Sequence, residues 1–302
     1  MAESVATVAE APQRDHAALA AGLTTVTLWG SAFVGIRAAG RVLSPGSITL
    51  GRLLVSCAIL TAVALVRHER LSARAATIPI ALFGVLFLGG YSVTLNAAEQ
   101  HADAGTSAMI VNTGPLLIAV LAGVFLREGL PRRLLAGCCV ALGGCLLIGV
   151  ATTASGASVS GFVLLVAATL LYASAVVVQK VALGRATAFQ VTWLGCVAAT
   201  VASIPFAPTL ASEVAGGDAR AIVWTAYLGA MPTALGFATW SFALSRASAG
   251  RVAALNYLIP VVAILLGWAY LGERPPTLAV VGGSLCLVGV YVARRGQGRR
   301  RR

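Results

Sequence analysis

The chain has 302 residues, of which 58% are hydrophobic and only 11% charged, with a formal net charge of +12 and a mean hydropathy of +0.89. Soluble domains carry roughly 25% charged residues, so a water-soluble globular enzyme or binding module is excluded. The excess of arginine raises nucleic acid as a partner, but its distribution along the chain argues against that.

Residues 1–16 are polar and carry Glu3, Glu10, Arg14 and Asp15; a disordered cytoplasmic N-terminus is expected there. The segment lacks the basic start and small-residue cleavage site of a signal peptide, so the first apolar run is expected to be retained as a membrane helix. Ten apolar runs follow, at 17–37, 46–66, 77–98, 104–126, 132–151, 160–181, 187–207, 221–245, 252–271 and 276–293. Each has about the 20 residues that cross ~30 Å of hydrocarbon as a helix. The runs are continuous rather than alternating, which excludes strands of a barrel. The longest connection, about 208–220, is too short to fold alone. The terminal RRGQGRRRR (294–302) is expected to lie against anionic lipid headgroups.

The chain is also written twice. Shifting it by 145 residues lays 84–144 on 229–289 without a gap, and fifteen of the 61 pairs are identical. Shared alanine and leucine carry little weight in so apolar a chain. The ordered series Gly84, Pro115, Glu128, Pro131, Gly137, Gly144 against Gly229, Pro260, Glu273, Pro276, Gly282, Gly289 carries more. A shift of 143 lays LWGSAFVGIR (28–37) on LYASAVVVQK (171–180). An odd number of helices per copy inserts the second copy upside down. The expected fold is therefore an all-α integral membrane protein of ten transmembrane helices in two inverted five-helix repeats. The expected division is 1–16 as N-terminal segment, 17–151 as first repeat, 152–159 as linker, 160–294 as second repeat and 295–302 as basic cytoplasmic tail.

With both termini in the cytoplasm, inner loops and tails hold 17 Lys and Arg, and outer loops hold 4: Arg37, Arg41, Arg220 and Arg274. Without the six arginines of the tail the ratio is still 11 to 4. This is the positive-inside bias of a cell (inner) membrane protein, and it accounts for the net charge without nucleic acid. All six cysteines fall inside apolar runs without the spacing of a zinc site or redox pair. His16, His68 and His101 form no cluster, and there is no HExxH, no GxSxG and no phosphate-cradling loop with lysine. No metal, cofactor, ATP hydrolysis or other enzyme activity is expected.

Three features together resemble the drug/metabolite transporter superfamily, EamA type. They are WGSAFVGIR in the first helix, ITLGRLLVS with its arginine in the second, and the paired pattern P-x12-E-x2-P-x5-G-x6-G. The resemblance covers about 20–294. It implies a permease, an exporter of a small metabolite, amino acid or drug-like solute, working by alternating access around a midplane site between the repeats. A lipid or lysolipid translocase of the same superfamily is the alternative.

Candidate site residues follow from the helix chemistry. A mid-helix proline removes a backbone hydrogen bond, and in lipid the freed carbonyl must find another partner. Pro115 and Pro260 fall near the centres of helices four and nine, flanked by Asn112 and by Asn256 with Tyr257. Their amides either bond neighbouring helices or face a midplane site; the matched pair favours the site. Trp29 with Ser31 and Tyr172 with Ser174 form a second matched pair, marking either the membrane interface or, as the resemblance implies, the cavity wall. Tyr91, Thr94 and Asn96 in helix three and Thr233, Thr239 and Trp240 in helix eight are further wall candidates.

Arg52 is the one charge well within an expected helix, a costly placement. It either snorkels outward or faces the outer vestibule to hold a substrate carboxylate or a helix end. Glu128 and Glu273 each precede a helix-opening proline by three residues, and a role at the positive helix end is preferred over proton coupling. Glu99, His101 and Asp103 cluster at the outer turn between helices three and four. They are the best candidates for a proton step, Asp103 foremost. Gly137, Gly143, Gly144, Gly282, Gly283 and Gly289 are assigned to close helix packing or a homodimer surface.

Overall fold

The computed structural model describes residues 16–69, 76–125, 132–154, 159–216, 218–246 and 255–295. Glu128, residues 155–158 of the 152–159 linker and residues 296–302 of the basic tail lie outside these residues. Among the described residues there is no strand, and ten helical spans follow in order. They are α1 (His16–Ala39), α2 (Pro45–Val66), α3 (Thr77–Ala98), α4 (104–125), α5 (Arg132–Ala154), α6 (Val159–Leu183), α7 (Ala188–Ala215), α8 (219–246), α9 (256–271) and α10 (Thr277–Arg295). The helices α1, α2, α3, α6 and α7 are long and apolar enough to cross a membrane by themselves. The protein is an all-α membrane protein of two inverted five-helix repeats.

Span ends agree with the expected runs to within a few residues, except in α7. This helix runs to Ala215 rather than 207, and the expected 208–220 connection shrinks accordingly. Pro205 and Pro208 do not end it. Each falls in the first two positions of a new segment, the 3₁₀ turn Ile204–Phe206 and the helix Ala207–Ala215, where a missing N–H leaves no broken bond.

The inversion is visible in which ends meet. Ser44 caps α2 ahead of Pro45, and Thr187 caps α7 in a capping box with Gln190. These caps are separated by the same 143 residues as the first-helix pair. The Ser44 N–H donates to the Glu213 carboxylate (3.1 Å) at the far end of α7, while Gln190 Nε2 donates to Glu69 (3.0 Å) just past the end of α2. The equivalent helices α2 and α7 are therefore antiparallel neighbours. The same holds for α5 and α10, whose glycines meet. A Cβ on Gly282 would stand 2.7 Å from the Gly144 carbonyl oxygen, and one on Gly289 2.6 Å from that of Gly137. Small residues allow such backbone contact where lipid supplies no hydrophobic drive between helices. The conserved-spacing glycines thus lie in the seam between the repeats, whereas Gly143 faces outward.

Two features escaped the sequence reading. Helices α3 and α8 each contain a π-helical stretch, Gly84–Tyr91 and Gly229–Leu235, beginning at glycines 145 residues apart. Gly84 lies against the Gly195 backbone of α7, and Gly229 against the Arg52 carbonyl of α2. Gly195 and Arg52 are themselves 143 apart, so the packing obeys the repeat. π-Helical turns widen a helix locally and occur mostly at functional sites.

Candidate functional site

Both expected helix breaks are present. In α4 the helix stops at Val111, turns through Asn112 and Thr113, and restarts as Gly114–Phe125 with Pro115 second. In α9 a 3₁₀ turn, Asn256–Leu258, precedes Ile259–Leu266 with Pro260 second. The breaks meet: Asn112 Nδ2 donates to the Asn256 backbone carbonyl at 2.8 Å. Thr113 Oγ1 donates to the Ile110 carbonyl at 2.7 Å. Side chains of the first break thus donate to backbone carbonyls at both breaks, a protein partner where bulk water is scarce.

Beside this junction lies a cavity with ≈ 900 Å³ of unfilled space when the solvent in its open side is counted. Four repeat-equivalent pairs contribute to its wall. Trp29 of α1 answers Tyr172 of α6, Phe87 of α3 answers Pro232 of α8, Ser92 answers Phe237, and Val111 answers Asn256. Each pair is 143 or 145 residues apart. Both copies thus contribute to the cavity, the first supplying the larger share of its wall. Its rings form a connected band, with centroids 5.2 Å apart for Phe87–Tyr91, 5.4 Å for Phe87–Tyr172 and 5.6 Å for Trp29–Phe237, distances at which ring pairs attract.

Arg52 breaks the symmetry, since its equivalent is Gly195. It does not snorkel. Gly229 brings α8 against the Arg52 carbonyl, and Arg52 Nη2 donates to Thr233 Oγ1 at 2.9 Å across that contact. Among the described residues its guanidinium is the only charged group in the cavity wall. Asn112 and Asn256 add carboxamides, and Asn256 Oδ1 is buried without a hydrogen-bond partner among the described residues.

The other candidates divide. Tyr91, Asn112, Tyr172, Asn256 and Pro115 line the cavity with Trp29 and Arg52. Trp29 is pinned there by its Nε1 donating to the Pro232 carbonyl (3.1 Å) and is backed by Trp240 at 5.2 Å. Trp240 therefore stands behind the wall. Ser31 bonds Tyr227 (2.6 Å) and ties α1 to α8. Thr94 Oγ1 donates back to the Gly90 carbonyl at 2.8 Å. Asn96 donates to Thr49 (2.9 Å), tying α3 to α2, and Thr239 bonds Thr25 (2.7 Å). Ser174 is a correction: it is exposed on the outside of α6. Pro260 is buried in the packing. The Tyr257 side chain and Glu128 lie outside the described structure. Phe87, Phe237 and Pro232 were missed, although the 145-residue offset from Gly84 and Gly229 pairs Phe87 with Pro232.

At the end of the bundle where the α3–α4 and α9–α10 turns meet, Glu273 accepts from Arg37 Nε (2.7 Å) and from the Ala104 N–H (3.3 Å). It thus serves the start of α4 and an ion pair, rather than the helix it precedes in sequence. The chain reaches back because Gly272 takes a left-handed C-cap conformation (φ 67°), which favours glycine. Asp103 is the N-cap of α4, accepting from the Thr106 N–H (2.8 Å) and Thr106 Oγ1 (2.6 Å). Glu99 lies beneath this ion pair. Burial pushes its carboxyl well above the usual carboxylate range; Arg37 opposes this, Glu273 and Asp103 reinforce it, and Arg52 opposes it weakly.

Two inverted helical repeats closing on a shared cavity with broken helices define a membrane transporter. The chain belongs to the EamA-like transporter family, which matches residues 16–150 and again 159–295. It is 36% identical over 281 residues to a probable terminal-alkyne amino-acid exporter of Streptantibioticus cattleyicolor, covering 92% of this chain and 93% of that one. It is 29% identical to an uncharacterized transporter of Archaeoglobus fulgidus, covering 90% and 96%. It is 26% identical to a probable amino-acid metabolite efflux pump of Salmonella typhimurium, covering 68% and 72%. A solved crystal structure shares the fold, with a TM-score of 0.62 at 21% identity over 91% of this chain and 96% of that one.

Proposed function

We propose that this protein exports a small amino-acid-like solute across the cell (inner) membrane, as a secondary transporter with both termini in the cytoplasm. The solute binds in the cavity between the repeats, and rocking of one repeat against the other exposes it to each side in turn. The observation that carries the reading is the cavity's chemistry: an aromatic band with one guanidinium and two carboxamides. A guanidinium matches a carboxylate with paired donors. The rings suit an apolar or unsaturated side chain, and the unpaired Asn256 oxygen suits an ammonium. One relative above is named as a probable terminal-alkyne amino-acid exporter and another as a probable amino-acid metabolite efflux pump, which supports the same class here. On this reading the Arg37–Glu273 bridge stands at the outer end and serves as its gate.

The test is a thermal-shift panel on purified protein, followed by counterflow of the best binder in proteoliposomes. The panel contains apolar and unsaturated α-amino acids, the matching amines and methyl esters, and a lysolipid. A binder at a hundred times its Kd stabilises by about 2.7 kcal/mol. The amino acids should shift the melting temperature and exchange across the bilayer. A shift by lysolipid alone would replace this reading with lipid translocation.

A further inference from the structure

Glu99 is the C-cap just past α3, with 1% of its surface exposed, and neither carboxyl oxygen has a hydrogen-bond partner among the described residues. Buried polar atoms are almost always bonded, and a carboxylate buried without donors is costly enough that the group takes up a proton instead. Charged and titratable groups surround it on each neighbouring element: Arg37 of α1, Arg52 of α2, Tyr91 lower on α3, Asp103 at the head of α4, and Glu273 between α9 and α10. His101 shares its turn and is exposed. None of the cations donates to the carboxyl. Arg37 uses Nε on Glu273 and Nη1 on the Glu99 backbone carbonyl, and Arg52 is bonded to Thr233. Asp103 uses both its oxygens on Thr106. One and two turns below Glu99, Leu95 and Ser92 line the cavity.

We propose that Glu99 is a proton-binding site, filled while the Arg37–Glu273 bridge holds this end of the bundle shut and emptied when the bridge parts. Parting admits water to the carboxyl. There its affinity for a proton returns towards the ordinary carboxylate value near ~4.3, and the proton passes to the water on that side. Closure takes a proton back from the same side. Opening therefore releases a proton, alkaline medium on that side favours the open form, and acid holds it shut. The sequence reading had placed Asp103 first for such a step. The structure reassigns it, because Asp103 is committed to capping α4 while the Glu99 carboxyl has no hydrogen-bond partner among the described residues.

The experiment uses the full-length protein in lipid nanodiscs and needs no transported solute, so its outcome is independent of what the cavity carries. Infrared spectra at pH 7 should show the carbonyl stretch of a protonated, buried carboxylic acid. Glu99→Gln should remove it and Glu99→Asp should shift it. Arg37→Gln or Glu273→Gln, by parting the bridge, should also remove it at the same pH. A raised folded-state affinity gives stability that is fully present below pH ~4.3 and lost as pH rises. Hence the melting temperature of Glu99→Gln relative to wild type should climb with pH by about 3 °C per unit. A band that is absent from wild type, or that survives Glu99→Gln, overturns the proposal. A band unaffected by parting the bridge overturns the link to the gate, and a melting difference flat across pH overturns the proton site itself.

Discussion

Replacing Arg52 by glutamine should separate binding from folding. The guanidinium is partly buried in the cavity wall and donates to the neutral hydroxyl of Thr233 at 2.9 Å. A buried charge held by neutral partners carries a desolvation cost of several kcal/mol. Arg52→Gln removes that charge and keeps a donor, so the variant should melt at or above the wild-type temperature. For a carboxylate ligand the balance is opposite. A hydrogen bond to a charged group contributes about 1.5–3 kcal/mol, and each 1.4 kcal/mol is tenfold, so amino-acid affinity should fall roughly 10- to 150-fold. Arg52→Lys keeps the charge but loses the planar fork and should fall between. The assay is a binding titration of the best amino acid from the thermal-shift panel, with the amine lacking its carboxylate as control. Wild-type affinity in Arg52→Gln, or an equal loss for acid and amine, would refute a carboxylate contact and leave Arg52 as a strut for α8.

Three further expectations test the frame around the site. Gly282→Ala places a methyl 2.7 Å from the Gly144 carbonyl oxygen and 3.1 Å from the Ile148 nitrogen. Overpacking of this kind costs about 1–3 kcal/mol, so melting should drop by several degrees, while Gly143→Ala, whose nearest neighbour is Leu285 at 3.9 Å, should not change it. Asp103→Asn should keep both folding and pH dependence, because asparagine caps nearly as well as aspartate, whereas Asp103→Ala should lose about 1 kcal/mol of stability. In a cysteine-free background, cysteines at the exposed positions 100 and 185 should label from opposite faces of the membrane, position 185 from the cytoplasm; labelling from one face sinks the topology.

The architecture was legible in the chain because it rests on quantities that sequence carries directly. The length of an apolar run is set by bilayer thickness, and the repeat is set by identities at a constant offset. Together they yielded ten spans, two inverted copies and both helix breaks. The site was only half legible, and the matched serines show why. Ser31 and Ser174 hold equivalent places, yet one bonds Tyr227 across α1 and α8 while the other faces outward. In a soluble helix a polar stripe marks the surface. In a membrane, lipid-facing and cavity-facing side chains are equally apolar, so no stripe says which way a helix is turned.

Sequence by itself therefore determined the compartment, the span count, the inversion and the places where helices break. Rotation of each helix about its axis, and with it the cavity wall, was decided only by tertiary contact. Gly229 against the Arg52 carbonyl turned that guanidinium inward to Thr233. The left-handed cap at Gly272 carried Glu273 back to Arg37 and the head of α4, and the Glu99 carboxyl lies buried beneath with no donor among the described residues. Charge, burial and partnership are properties of neighbours, and these neighbours lie 62 to 236 residues apart along the chain.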